Sequence, residues 1–462
     1  MRESCNTMIH KYYLDGFYIL MDVHSGAVHL LDELSFLLAD YLSPQMPPEC
    51  PGNALDALGG RYGRQAVKEA YAELYGLFLA GELYAPDEYR PFADRLVAAP
   101  LKSICLNIAH DCNLRCEYCF AAKGDFGKSR SLMPFSVAKS AIDFLVANSE
   151  GRKNLEADFF GGEPLMNFDV VRQTVAYARS LEKEHGKNFR FTITTNGLLL
   201  TPENTEFINK EMSNVVLSID GRKRVNDKLR RTKSGGGCYD LIVDKYKALV
   251  EGRNYDNYYV RGTFTRENLD FTDDVLHLNA LGFDQISVEP VVSDPNLPFS
   301  VTENDLPQIF REYERLAAEI IARKKRGDDF NFFHFMLDLA GGPCAIKRLR
   351  GCSCGNEYIC VTPDGNIYPC HQFVGVDGFI MGNILTGSFD QNMKETFTKT
   401  NIYCKPECSE CWAKFYCSGG CNANNFQYRG NLLSPHRLSC ELEKKRVECA
   451  VMIYAALAEC SY

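Results

Sequence analysis

A chain of 462 residues, 45% hydrophobic and 24% charged, has the composition of a soluble globular protein and is too long for one ordinary core, so two or three domains are expected. The formal net charge of −9 argues against a nucleic-acid surface and disfavours anionic membranes. No apolar run approaches the roughly 20 residues of a membrane helix. The opening Met1-Arg2-Glu3-Ser4-Cys5 leads into no apolar signal core, so a cytoplasmic location is expected.

Residues 1–90 read as a first domain. Two strands are predicted over Ile9–Leu20 and Ala27–Leu31, separated by the His24-Ser25-Gly26 turn. Helices are predicted over Asp32–Leu42, Ala54–Leu58 and Arg64–Ala80, followed by a short extended stretch at Leu83-Tyr84. A hairpin followed by three helices resembles the winged-helix RiPP recognition element of peptide-modifying radical enzymes. That resemblance implies capture of a precursor's leader segment by strand addition to a sheet edge. The plainer reading is a packing appendage.

Residues 91–325 alternate strand and helix, the pattern of parallel β/α repeats. Strands are predicted over Ser103–Ile108, Ala157–Phe160, Phe189–Thr195, Asn214–Ile219, Tyr258–Phe264 and Gln285–Val291, with helices such as Ser136–Asn148, Asp169–Leu181 and Tyr239–Glu251 between them. Six such units form an α/β, TIM-like but incomplete (β/α)6 barrel, whose chemistry belongs at the C-terminal ends of its strands.

The first strand runs into Cys112-Asn113-Leu114-Arg115-Cys116-Glu117-Tyr118-Cys119. Three thiolates at this spacing leave one iron of a [4Fe–4S] cluster without a protein ligand, open to a substrate or cofactor. A partial zinc knuckle is the alternative. The loop resembles the signature of radical S-adenosylmethionine (SAM) enzymes, in which the open iron chelates SAM. The next strand ends in Gly161-Gly162-Glu163-Pro164, which resembles the motif holding the SAM amino group. By the same resemblance Tyr118 lies near the adenine. Thr195 and Asn196, Ser218 and Asp220, Arg261 and Glu289 are the polar strand-end positions around SAM, with Arg261 a carboxylate clamp. Each piece alone also occurs as an ordinary turn or strand terminator.

The segment 322–335 reads as a charged connector into a third domain, 326–462, whose Lys/Arg run is a solvated helix end. Of the 20 cysteines, most fall at 112–119 and 344–440. Such clustering reads as metal ligation in a reducing compartment. Cys352 and Cys370 flank Pro363-Asp364-Gly365, a hairpin turn, and Cys408, Cys411, Cys417, Cys421 and Cys440 follow. The interleaving resembles the SPASM extension, a holder of two auxiliary [4Fe–4S] clusters. The resemblance gives Cys408, Cys411, Cys417 and Cys440 to a distal cluster and Cys352, Cys370 and Cys421 to a proximal one. The fourth proximal ligand stays open among Cys344, Cys354 (where the family carries a small residue) and a substrate thiolate. A zinc ribbon is the alternative for Cys408–Cys421. Cys105, Cys238 and Cys360 read as small buried hydrophobes, Cys449 and Cys460 lie on a helical tail over 440–459, Cys5 and Cys50 sit in loops, and Cys404 has no assigned role.

Ile9-His10-Lys11-Tyr12-Tyr13, Met21 to His29 and Pro369-Cys370-His371-Gln372-Phe373-Val374-Gly375 resemble the maturases of SCIFF peptides. That family joins cysteine sulfur to a threonine carbon. The resemblance implies three [4Fe–4S] clusters and SAM, a Cys-rich precursor peptide held by its leader, and an electron donor such as ferredoxin or flavodoxin. No nucleic acid and no membrane are expected as partners. An anaerobic sulfatase maturase and a non-catalytic Fe–S redox or peptide-binding protein are the other two readings.

Overall fold

The computed structural model describes residues 8–93, 95, 98–337, 339 and 345–458. Cys5, Cys344 and Cys460 therefore lie outside the described residues.

The N-terminal sheet has three strands rather than two: β1 (Ile9–Leu14), β2 (Phe17–Asp22) and β3 (Val28–Leu31), antiparallel in that order. The break falls at Asp15-Gly16, both with positive φ (47° and 91°), so the predicted long first strand is two strands and a tight turn. Asp-Gly is a strong two-residue hairpin signal, because both positions accept the left-handed region. Helices Gly52–Tyr62 and Arg64–Leu79 follow the short helix Glu33–Leu38, which Asp32 caps by accepting the Ser35 N–H. Leu83-Tyr84 is not a strand. Tyr84 sits at φ 54°, which no strand residue can hold.

A second sheet carries the rest of the molecule. Its central run β4 (Ser103–His110), β6 (Asn154–Gly161), β7 (Asn188–Thr195), β8 (Met212–Ser218), β9 (Tyr258–Phe264) and β10 (Gln285–Pro290) is parallel in chain order, and the two-residue β5 (Ser131–Leu132) pairs with β4 off this path. These are the six predicted strands, differing only at their ends. The helices between them, among them Phe135–Ala147, Phe168–His185 and Tyr239–Glu251, bury apolar faces against one side of the strands. The result is a mixed α/β fold with an open parallel sheet, consistent with a partial barrel.

The sheet extends beyond six strands at both edges. The basic run Arg323–Arg326 ends helix Leu306–Arg326, with Arg323 and Lys324 paired to Asp328 and Asp329 across the Gly327 cap. The chain does not then leave as a connector. It forms β11 (Asn331–Phe332), parallel to β10, and buries Phe330, Phe332 and Phe335 in the barrel core. At the other edge β12 (Tyr358–Val361) pairs parallel with β4 and leads through the Pro363-Asp364-Gly365 turn into β13 (Asn366–Tyr368), then β14 (Gly382–Asn383) and β15 (Ser388–Phe389). The C-terminal third thus continues the sheet. No helix of the described residues is long and apolar enough to cross a membrane.

The N-terminal sheet is buried on both faces of β2. Leu20 packs into its own three helices, while Ile19 and Met21 join the core shared with the last helix, Arg437–Ala458. His10 stacks on Trp412 at 3.7 Å and 4° and meets Glu448 at 3.1 Å, and the Tyr12 hydroxyl donates to the Glu448 carbonyl. Trp412 is the chain's one tryptophan. We therefore expect His10→Ala to shift its emission and to cost about 1 kcal/mol, the usual worth of an aromatic stack. Unchanged fluorescence in the folded variant would mean that the sheet does not rest on this contact.

Candidate functional site

The C-terminal ends of β4 and β6 meet backbone to backbone. The Gly162 N–H donates to the Ala109 carbonyl (2.7 Å) and that of Glu163 to Asp111 (3.0 Å). A Cβ on Gly162 would lie 2.1 Å from the Asp111 oxygen, and one on Gly124, at φ 99°, would lie 2.5 Å from Cys112 Cβ. The loop carrying Cys112, Cys116 and Cys119 is therefore folded onto the Gly161-Gly162 turn with no room for side chains between them. A second support comes from the chain after β8. Arg115 and Glu117 N–H groups donate to the Arg231 and Leu229 carbonyls, and Leu114 pairs with Thr232. That antiparallel edge aims Arg230 into the loop.

Arg230 was not anticipated from sequence. Its side chain is 8% exposed, donates to the Tyr118 hydroxyl (2.9 Å), and lies 3.8 Å from Asp220, whose other oxygen accepts the Tyr118 hydroxyl (2.6 Å). Its Nε is buried without a hydrogen-bond partner. Burial alone would lower its pKa, but Tyr118, Cys116 and Asp220 hold it well above the ordinary arginine value. Lying in Arg230-Arg231, it looks like surface charge in sequence. Only the loop pairing distinguishes it from its exposed neighbour.

Glu163 is buried, and burial raises its pKa against the Asn196 N–H, the Thr195 hydroxyl and the Leu165 N–H, which it accepts at 2.8, 2.7 and 3.0 Å. A carboxylate has about four lone-pair sites, so one is left for a further donor. Asn196 in turn donates to Asn113 (2.7 Å) and to the Cys112 sulfur (3.6 Å), tying the end of β7 to the cysteine loop. Ser218 is partly exposed at the end of β8, its carbonyl accepting the Tyr246 hydroxyl. Arg261 pairs with Glu289 at 2.8 Å. Burial would raise the Glu289 pKa, but Arg261, His334 and Arg446 bring it down to about 2. The structure therefore brings Glu163, Thr195 and Asn196 together against the cysteine loop, at the mouth of the sheet. It also ties Tyr118 to Asp220 and Arg261 to Glu289.

The three thiols sense one another. Burial pushes Cys112 up to about 11, helped by Glu163 and Cys119, and Cys116 up to about 12 despite Arg230. The protein alone keeps both protonated, so a bound metal's charge would be what draws the protons off. Among the described residues no three His, Cys, Asp or Glu side chains converge on a single metal ion. A cubane sets its ligands farther apart than one ion does. Three thiols, a buried cation for cluster charge and a close backbone cradle fit a three-thiolate [4Fe–4S] site.

The C-terminal cysteines fall into two groups. Cys440 senses Cys408 and Cys411, and Cys417 senses all three. Cys352 senses Cys354, Cys354 senses Cys370 and shares a buried cluster with it, and Cys421 senses Cys352. The Lys405 ammonium lies between the groups, donating to Gly419 and Asn422. A cavity of about 260 Å³ lined by Glu289, Cys417, Cys421, Tyr428, Cys440 and Arg446 connects this region to the end of β10. Cys105 and Cys360 are buried as expected, but they are register partners on β4 and β12 that share Asn107. Beside them Tyr358 meets His371, whose ring packs on Phe160 and Phe120 at the mouth.

With this geometry in hand, residues 106–275 match the Radical SAM superfamily. In that stretch the chain carries the three-cysteine loop and the Gly161-Gly162-Glu163 turn. It is 25% identical to a cysteine-type anaerobic sulfatase-maturating enzyme of Clostridium novyi over 68% of this chain and 86% of that one. Native anSMEcpe with bound AdoMet superposes with a TM-score of 0.66 at 20% identity, over 78% of this chain and 100% of its own. Streptococcus suis SuiB bound to the precursor peptide SuiA gives 0.53 at 16%, over 92% and 97%. Both structures support the fold. The superfamily implies a [4Fe–4S] cluster and SAM.

Removing the Arg230 cation would strand Asp220 in a dry site. Arg230→Leu is expected to destabilise the chain by about 3–5 kcal/mol in anaerobic urea unfolding, and the exposed Arg231→Ala by no more than about 0.5. Equal small effects would deny Arg230 its place as the buried counter-charge.

Proposed function

We propose that this chain is a radical SAM peptide maturase that forms thioether crosslinks, joining cysteine sulfur to an acceptor carbon, by resemblance that of threonine, in a Cys-rich precursor peptide. The observation that carries the reading is the free edge of β3. Beside it Val28, Leu30, Leu31, Leu74 and Leu77, together with the polar His29, Ser35 and Glu73, line a groove of about 360 Å³ against helix Arg64–Leu79. A strand edge unpaired among the described residues, with a groove of mixed apolar and polar lining alongside, suits capture of an extended leader, with main-chain bonds giving affinity and the groove giving selectivity. The superposition on SuiB, which reaches 92% of the chain, supports a peptide substrate.

In this reading Cys112, Cys116 and Cys119 hold the cleavage cluster, and Cys408, Cys411, Cys417 and Cys440 hold a distal one. Cys352, Cys370 and Cys421 belong to a proximal cluster, with Cys344 the family's position for a fourth ligand. The cluster with SAM supplies a 5′-deoxyadenosyl radical when bound. The chain's own residues orient and exclude. The Gly161-Gly162 backbone lets a ligand approach, the free acceptor position of Glu163 suits an ammonium, and Arg230 offsets negative charge at the loop. Thr195, Asn196, Ser218 and Asp220 hold the strand ends in place, and the Arg261–Glu289 pair closes the far side. A ferredoxin or flavodoxin is the class of electron donor proposed, in the cytoplasm.

Formylglycine formation on a protein Ser or Cys is the second reading, favoured by the similarity to the Clostridium novyi enzyme. The two separate by product. The reconstituted enzyme, given SAM, reductant and a Cys-rich peptide with its leader, is expected to remove about 2 Da per crosslink and to block thiol alkylation. Cys116→Ala is expected to abolish both changes. A hydrazine-reactive aldehyde instead would establish the second reading, and SAM cleavage with an unchanged peptide would discard both substrates. Leu77→Asp, in the groove, is expected to weaken leader binding at least about tenfold, a loss of about 1.4 kcal/mol, without altering peptide-independent SAM cleavage. Unchanged affinity would move the leader site elsewhere.

A further inference from the structure

The second C-terminal thiol group holds a cysteine that the interleaved pattern does not use. Cys354 is 3% exposed and Cys370 7%, whereas Cys352 and Cys421 are exposed. Two contacts and one backbone conformation fix where Cys354 stands. The next residue, Gly355, donates its N–H to the Pro369 carbonyl at 3.0 Å, which sets residue 354 beside Cys370. Asn422, adjacent to Cys421, donates its side-chain amide to the Cys354 sulfur at 3.6 Å. Ser353, between Cys352 and Cys354, takes the left-handed region at φ 54°.

A buried thiol with only apolar neighbours is an ordinary packing residue. Cys354 instead shares its buried cluster with Cys370 and has an amide donor on its sulfur. A side-chain N–H aimed at sulfur is how proteins stabilise a thiolate that ligates iron. Lys405, buried and donating to Asn422, adds a positive charge that acts first on Cys408 and Cys417 and also on Cys354 and Cys421. It would offset the charge of a four-thiolate cluster.

We propose that Cys354 completes a four-thiolate set with Cys352, Cys370 and Cys421, so that a [4Fe–4S] cluster held there has no iron open to a substrate sulfur. Each thiol gives up its proton on binding iron. This rests on reading the C-terminal cysteines as cluster ligands. It also constrains the crosslinking reaction, because the substrate thiol must then reach its acceptor carbon without being parked on this cluster.

The test uses the full-length chain with Cys112, Cys116 and Cys119 replaced by Ala, which removes the cleavage cluster. It is reconstituted anaerobically with iron and sulfide, and imidazole is the probe ligand. Iron content and the electron paramagnetic resonance spectrum of the reduced protein are the readouts. In this background the spectrum is expected to be unchanged by excess imidazole. Adding Cys354→Ala is expected to keep the iron but create an imidazole-sensitive signal, and Cys354→Ser to shift the signal while retaining the cluster. Cys344→Ala is expected to change neither readout. The proposal is overturned if the background already responds to imidazole, or if Cys344→Ala opens the site while Cys354→Ala leaves the spectrum alone. A background chain whose iron is lost entirely on adding Cys408→Ala and Cys411→Ala would overturn the proximal site itself, and the assignment of Cys354 with it.

Discussion

The arrangement of the mouth depends on one steric condition, the backbone contact between the ends of β4 and β6. Gly162 lies so close to Asp111 that the two strand ends share hydrogen bonds instead of side chains. The cysteine loop therefore starts at a fixed height above the sheet, and Glu163 enters the interior at the same level. From there its carboxylate reaches the Thr195 hydroxyl and Asn196 N–H of β7, and Asn196 returns to Asn113 and Cys112. Three consecutive strands of the sheet, β4, β6 and β7, are thereby closed into one ring of polar contacts. Any side chain at Gly162 would have to push the loop off the sheet, and the ring would open with it.

Electrostatics sets the second condition. Glu163, Asp220 and the thiols of Cys112 and Cys116 all lie in the dry interior behind the mouth, and Arg230 is the buried cation among them. Burying a charge is costly unless it is paired and hydrogen-bonded. Arg230 meets that need for Asp220 through Tyr118, yet keeps its own Nε without a protein partner. Such a guanidinium is preorganised for a group that brings negative charge to the loop. By contrast Arg261, at the rim and about half exposed, is already neutralised by Glu289. A carboxylate arriving there would have to displace one already in place.

Most of the sheet was legible in the chain because strand formers recur between turn residues: β4 is buried at every position, and β9 alternates buried with partly or fully exposed residues. Their chemistry was legible because strand ends carry it. What was lost has identifiable causes. Asp15-Gly16 interrupts an otherwise unbroken run of strand formers, so hydrophobicity outweighed turn chemistry. β11 has two residues, too few for any periodicity, and its aromatic neighbours read as part of a charged connector. Strand pairing between β12 and β4 joins residues some 250 positions apart, a relation that no local pattern carries. Arg230 was illegible as a buried counter-charge, and Cys354 could not be told from the other candidates for a fourth ligand, for the same reason. Each acquires its meaning from a contact made far away in sequence, Tyr118 for the one and Asn422 for the other.

The N-terminal sheet shows why the three parts behave as one body. Both faces of β2 are buried, so the sheet cannot lift off without exposing Ile19 and Met21 to water. Its anchor points are the cysteine loop of the C-terminal region. His10 stacks on Trp412, directly after Cys411, and Asp87 pairs with the almost fully buried Lys414, between Cys411 and Cys417, while accepting the Tyr403 hydroxyl. A buried pair of this kind is strongly destabilising to break from one side, because the remaining charge has no water to turn to. Whatever orders residues 408–417 therefore also orders the floor on which β1 rests. Conversely, a peptide strand added to β3 would extend a sheet whose far edge already touches that loop. The edge of β3, the groove beside it and the cysteine loop are then joined through the packing of β1 and β2.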